Sequence, residues 1–180
     1  MINTKTQQVL HSLDVTAFLS IVQWNARRRI RLFAYAVSTS ADGWFYLALP
    51  VLVSLISIQL GWDIFQILVV GFAVERPSYF LLKNGFKRHR PPNIIPGFNS
   101  VITASDEFSF PSGHTSGAFL VATTLVLVLP VGGVTYLYGW AVCVALSRII
   151  LGVHFPLDTV AGALLGSGIA WVAVYLVAMI

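Results

Sequence analysis

The chain has 180 residues, of which 57% are hydrophobic and only 10% charged, with a mean hydropathy of +0.80. That balance excludes a soluble globular domain and defines an integral membrane protein. The formal net charge is +4, but the cations are few and fall either in Arg27 to Arg31 or beside polar islands in apolar surroundings. A nucleic-acid face is therefore not expected, and lipid is the partner the composition implies.

Residues 6 to 42 are too polar to span comfortably, yet Val9, Leu13, Ala17, Ile21 and Trp24 recur near helical spacing. We read residues 1 to 43 as an interfacial helical segment, with Trp24 and the cluster Arg27, Arg28, Arg29 and Arg31 at headgroup depth. The start lacks the pattern of a cleaved signal peptide, and its first apolar stretch carries His11 and Asp14, so it is expected to be retained. His11 carries no functional signal.

Five apolar stretches follow, at 44 to 60, 62 to 82, 115 to 131, 134 to 152 and 157 to 178. Each is near the roughly 20 residues that cross a bilayer core. The expected fold is all-α, a polytopic membrane bundle of five transmembrane helices, with residues 1 to 180 forming one domain and residues 83 to 114 its catalytic loop. Asp42-Gly43 starts the first span, Gly61-Trp62-Asp63 is expected to turn it into the second, and Pro130 to Gly133 to turn the third into the fourth. The segment from Pro91 to Phe110 is too short to fold alone, and its Ile94, Ile95, Phe98, Phe108 and Phe110 are expected to dip into lipid or roof a pocket. Cys143 is the single cysteine, which excludes an intrachain disulfide.

Three polar islands interrupt this apolar pattern: Lys83 with Arg90-Pro91, then Pro111-Ser112-Gly113-His114, then Ser147-Arg148 with His154 and Asp158. Each lies at a span end, and because successive helices alternate direction, all of them are expected at one membrane face. A charge at the centre of a membrane helix costs roughly 2.5–3.5 kcal/mol, so such groups imply partners or a ligand. Lys83, Arg90 and Arg148 lack enough local carboxylates, and a phosphate would supply the missing anion. Ser112-Gly113-His114 opens a helix, where unpaired N–H groups favour an anion and Gly113 permits close backbone approach. His154 and Asp158 are four apart, one helical turn, so the carboxylate can hold one ring nitrogen while the other acts as a nucleophile. Taken singly, the second and third islands also fit an ordinary helix cap and an interfacial His with a capping Asp.

Together, Lys, six residues, Arg-Pro; Pro-Ser-Gly-His; and Ser-Arg, five residues, His, three residues, Asp resemble the signature of the type 2 phosphatidic acid phosphatase superfamily. The resemblance implies that His154 is a nucleophile forming a phosphohistidine, that Asp158 orients it, and that His114 is the general acid and base. It also implies that Lys83, Arg90, Ser112, Gly113 and Arg148 bind the phosphoryl oxygens, with no metal and no cofactor. The implied activity is a lipid phosphatase or diphosphatase, with undecaprenyl diphosphate, phosphatidic acid or phosphatidylglycerophosphate as substrate. A phosphotransferase to lipid A is the alternative; a vanadate haloperoxidase-like enzyme and a non-catalytic lipid-binding relative fit less well.

Other polar residues carry weaker expectations. Glu75 and Arg76 are expected to form a buried ion pair supporting the site, with a substrate role as the alternative; Lys87, Arg88 and His89 to anchor at the interface, with headgroup contact as the alternative; and Asp106 and Glu107 to lie in a solvated loop, with gating of the pocket as the alternative. The distribution of Lys and Arg favours a cytoplasmic site, whereas the family resemblance implies the periplasmic face of a bacterial inner membrane, which is the orientation we expect.

Overall fold

A computed structural model describes residues 4–129 and 135–179. Among the described residues the chain is all-helical: α1 (Thr4–Val22), α2 (Arg28–Thr39), α3 (Trp44–Ser54), α4 (Ile58–Phe86), the single turn α5 (Pro91–Ile94), α6 (Gly113–Val128), α7 (Leu137–Ile150) and α8 (Pro156–Val177). The expected turn from Pro130 to Gly133 lies outside the described residues.

By length and composition α4 and α8 are each able to cross a membrane, and α2 and α3 qualify together although bent by 62° at their junction. The apolar helices α6 and α7 are shorter, with 16 and 14 residues. At about 1.5 Å per residue they cover roughly 24 and 21 Å, less than a full bilayer core. Large apolar side chains on the outside, among them Leu81, Leu164 and Trp171, give the bundle the surface that lipid requires.

One expected boundary is corrected. Gly61-Trp62-Asp63 is not a turn but the first part of α4, and the chain reverses earlier, at residues 55–57. Ser57 caps α4 by accepting from the Leu60 N–H, which starts the helix at Ile58, three residues before Gly61. Gly61 is needed for close approach instead: a Cβ there would lie 2.0 Å from Ser54 Oγ and 2.7 Å from the Pro50 carbonyl, so only glycine lets α3 fold back this tightly.

The core is built from Ile64 and Leu68 of α4, Leu120, Val121 and Leu125 of α6, Val144 of α7, and Ile169 and Ala170 of α8. The α6 and α8 backbones approach through small residues, in the manner of membrane helix pairs. A Cβ on Gly162 would meet the Ser112 carbonyl at 2.5 Å, and one on Gly166 would meet the Ser116 carbonyl at 2.0 Å. This contact sets the height of the Ser112 turn against the start of α8.

The N-terminal segment packs rather than merely floats. Phe18 and Val22 of α1 form a second cluster with Ile149 and Phe155, and Ile94, Ile95 and Phe98 of the long loop pack against it. Those loop residues therefore roof the bundle through α1. The basic cluster from Arg27 to Arg31 and Trp24 are exposed.

Candidate active site

Helix ends deliver the three islands to one end of the bundle. Lys83 lies in the last turn of α4, which stops where Lys87 adopts the left-handed conformation, with φ of 46°. Arg90 is extended ahead of Pro91, and Pro91 at the first position of α5 fixes the loop direction. Ser112 and His114 sit at the start of α6, Arg148 in the last turn of α7, and His154 and Asp158 around the start of α8. The backbone N–H of Ser112 donates to the Asp158 carbonyl at 2.9 Å, tying the second island to the third.

The two histidines stand in different surroundings. His154 is buried, with Nε2 3.4 Å from Arg90 Nη1 and Nδ1 3.8 Å from Asp158 Oδ2. At 3.8 Å that last contact is electrostatic rather than a formed hydrogen bond. Burial is the largest influence on the ring and lowers its pKa to about 4, with Arg90 and Arg148 acting in the same sense and Asp158 opposing them. His154 is thus a neutral imidazole at neutral pH, the state a nucleophile needs. His114 Nε2 lies 2.8 Å from Asp42 Oδ1, a residue of the α2–α3 connection that sequence reasoning did not assign to the site. Its only signal was a carboxylate beside a glycine at the edge of an apolar stretch.

The cations converge as expected but not unpartnered. Lys83 Nζ and Arg90 Nη2 both contact the Asp106 carboxylate, and Tyr79 Oη donates to it at 2.6 Å. Arg90 also donates from Nη1 to the Val153 carbonyl at 2.6 Å and from Nε to the Asp106 carbonyl at 3.0 Å. Asp106 is therefore not the solvated loop residue expected from sequence. Burial alone would raise its pKa, but hydrogen bonds from Lys83 and Tyr79, with the Lys83 and Arg90 charges, hold it well below the usual carboxylate range. Arg148 donates from Nη1 to Ser38 Oγ of α2 at 2.6 Å, and its buried Nε has no partner among the described residues. Ser112 Oγ is within 2.9 Å of Thr115 Oγ1, and a Cβ on Gly113 would meet the Tyr79 ring at 3.0 Å.

Arg88 is a second correction. Instead of anchoring at the interface with exposed Lys87 and His89, it turns inward and bridges Asp158 and Asp14, because two buried carboxylates there need a cation. Glu75 and Arg76 do pair, at 2.5 Å, with Glu75 buried and Arg76 facing the cavity. Glu107 and His11 are exposed.

A cavity of about 620 Å³ reaches Arg90, Asp106, Gly113, His114, Arg148 and His154, whereas Lys83, Ser112 and Asp158 lie behind its wall. One end is walled by Arg90, His114, Arg148 and His154; the other runs between α3 and α4 over Leu47, Pro50, Phe65, Leu68 and Val69. A polar head and an apolar wall in one continuous space match an amphiphile with a phosphorylated end.

Residues 61–180 match the PAP2 superfamily model, and the chain belongs to that family of lipid phosphatases. It is 32% identical over 142 residues to the undecaprenyl-diphosphatase of Sulfolobus acidocaldarius, covering 77% of this chain and 67% of the relative. Among solved structures it resembles Aquifex aeolicus LpxE, with a TM-score of 0.78, 26% identity and coverage of 91% of this chain and 95% of the other. It also resembles the transmembrane PAP2-type phosphatidylglycerolphosphate phosphatase of Bacillus subtilis, with a TM-score of 0.74, 26% identity and coverage of 96% and 88%. The protein is an integral membrane hydrolase acting on lipid phosphates.

Proposed function

We propose that the protein hydrolyses the terminal phosphate of a membrane lipid monophosphate or diphosphate through a phosphohistidine, with His154 as nucleophile. The observation that carries this reading is the single cavity holding both histidines and two arginines at one end and apolar residues of α3 and α4 at the other. Undecaprenyl diphosphate, phosphatidic acid and phosphatidylglycerophosphate all present that combination of phosphate and tail.

In the first step the Nε2 lone pair of neutral His154 attacks phosphorus, the bond from phosphorus to the leaving oxygen breaks, and His114 protonates that oxygen. Asp158 stabilises the positive charge growing on the ring. In the second step His114, now neutral, takes a proton from water, which attacks phosphorus; the N–P bond breaks and phosphate leaves. Lys83, Arg90 and Arg148, with the Ser112–Gly113 turn, bind the phosphoryl oxygens and stabilise charge as it builds. In this reading the cations supply that charge, so activity persists in excess chelator.

The loop from Pro91 to Phe110 offers little material for reading a headgroup, so recognition rests on phosphate and tail and the specificity is broad. Phosphate release from a panel of purified lipid monophosphates and diphosphates tests this: turnover of several is expected, and a strict preference for one complex headgroup contradicts it. Transfer of phosphate to an added lipid acceptor in place of water would favour a phosphotransferase. The site is proposed to open on the outward face. A cysteine introduced at exposed Asn99, with Cys143 replaced, would then react with an impermeant thiol reagent in intact cells.

A further inference from the structure

Asp158 is held by more than its own helix. Its Oδ2 accepts from the Phe155 backbone N–H at 2.8 Å, and its Oδ1 accepts from Arg88 Nη1 at 2.7 Å. The other fork of the same guanidinium, Nη2, donates to Asp14 Oδ2 at 2.6 Å. Asp14 Oδ1 in turn accepts from the Leu157 N–H at 2.9 Å, at the first turn of α8. Both carboxylates are buried, and the guanidinium lies 4.4 Å from the Phe155 ring centroid. The Arg88 backbone is also fixed, since its carbonyl accepts from the Ser109 N–H at 2.7 Å.

This arrangement addresses a physical difficulty at the nucleophile. A carboxylate removed from water favours its neutral form, and a protonated Asp158 would no longer stabilise an imidazolium. A guanidinium on Oδ1 keeps the group ionised and occupies the oxygen turned away from His154, leaving Oδ2 as the one 3.8 Å from Nδ1. The other terminal nitrogen of the same guanidinium, Nη2, also needs an acceptor in this largely buried setting. Asp14 satisfies that fork.

We propose that Arg88 is a positioning residue acting on His154 through Asp158, and that Asp14 of α1 acts through Arg88, so that the N-terminal helix is part of the catalytic apparatus. The inference rests on His154 being the nucleophile, and its test separates the two claims.

The experiment is a mutant cycle on the purified full-length protein in detergent micelles. Short-chain phosphatidic acid is the substrate, with kcat, KM and the rate of phosphoenzyme formation as readouts. Arg88→Met is expected to lower kcat and phosphoenzyme formation by about 10- to 100-fold, less than the roughly 10⁴ lost when an orienting aspartate is itself disabled, with KM little changed. Arg88→Lys, which keeps the charge but cannot bridge two carboxylates in a planar fork, is expected to fall between. The decisive arm is Arg88→Met in an Asp158→Asn background, where it costs no more than about twofold because its route to His154 is already cut. Asp14→Asn is expected to lower kcat less than Arg88→Met and to add nothing to it.

Losses that multiply, or a rise in KM with kcat unchanged, would overturn the proposal and assign Arg88 to substrate binding or to folding. Should Arg88→Met fail to fold, the cycle is run with Arg88→Lys and Asp14→Asn. If His154→Ala still forms the phosphoenzyme, the nucleophile assignment fails. If that variant is inactive while the cycle is additive, only this inference fails.

Discussion

Asp42 Oδ1 lies 2.8 Å from His114 Nε2, so the histidine expected to carry the proton is paired with a carboxylate delivered by the α2–α3 connection. Burial and the Arg148 charge hold the pKa of this ring below its ordinary value, and the Asp42 carboxylate opposes them, favouring the imidazolium and fixing the ring. Each of the two site histidines thus faces its own aspartate, one from the N-terminal segment and one from α8.

Replacing Asp42 with Asn keeps the shape but removes the charge. Turnover is expected to fall by about 10- to 100-fold, no more than the lower end of the 10²–10⁴ that general acid–base catalysis supplies, because His114 itself remains. The alkaline limb of kcat should move to lower pH, because an imidazolium without its carboxylate loses its proton more readily. A pH–rate profile with an unmoved alkaline limb would remove Asp42 from the proton path.

Asp106 places a carboxylate on the cations that phosphate is proposed to use. Asp106→Asn should tighten inhibition by vanadate or inorganic phosphate by about fivefold, or roughly 1 kcal/mol, the scale of a partly exposed ion pair. The depressed pKa also has a stability consequence. The tether is fully present above about pH 4 and is lost only as pH falls through the lowered folded-state value, so its contribution stays constant from pH 5 to 8. Weaker vanadate binding in the variant would mean that Asp106 organises the cations instead of occupying their site.

His154 has the same sign of acid response but in a higher pH window. Its folded-state pKa is lowered to about 4 from an ordinary 6.5, so between those values the unfolded chain binds the extra proton. Stability therefore decreases as pH falls through that window, and a His154→Gln variant should show a flatter profile there. Thermal unfolding from pH 4 to 7 checks this, and parallel curves for the two proteins would contradict it.

Gly166 meets the α6 backbone so closely that a methyl group must push the helices apart. Gly166→Ala is expected to cost about 1–3 kcal/mol, as overpacking does. Gly162→Ala, whose methyl would press on the Ser112 carbonyl, should lower kcat as well as stability. Equal effects on stability with full activity in both variants would separate the α6–α8 contact from the anion site.

The site was legible in the sequence where chemistry and spacing coincide in short motifs. Lys83, Arg90, His114, Arg148, His154 and Asp158 appear as improbable polar residues at the ends of apolar runs, and the alternation of helix direction is enough to bring them together. The residues that support them were not legible. Asp14 of α1 and Asp42 of the α2–α3 connection belong to the segment with an interfacial pattern, and a lone carboxylate there does not announce a partner 74 or 72 residues away. Arg88 sits among Lys87, His89 and Arg90, where local composition looks like a solvated basic run; only the burial of Asp14 and Asp158 draws it inward. The misplaced turn has a similar origin. Gly61-Trp62-Asp63 has the composition of a chain reversal, whereas the Ser57 cap starts α4 earlier and Gly61 serves the approach of α3.

The central claim is that His154 becomes covalently phosphorylated. The most direct measurement mixes the protein with a lipid substrate radiolabelled in its terminal phosphate, quenches rapidly in alkali, where phosphohistidine survives, and maps the labelled peptide. Label on the peptide containing His154 is predicted. Undiminished labelling or turnover by His154→Ala would contradict the account.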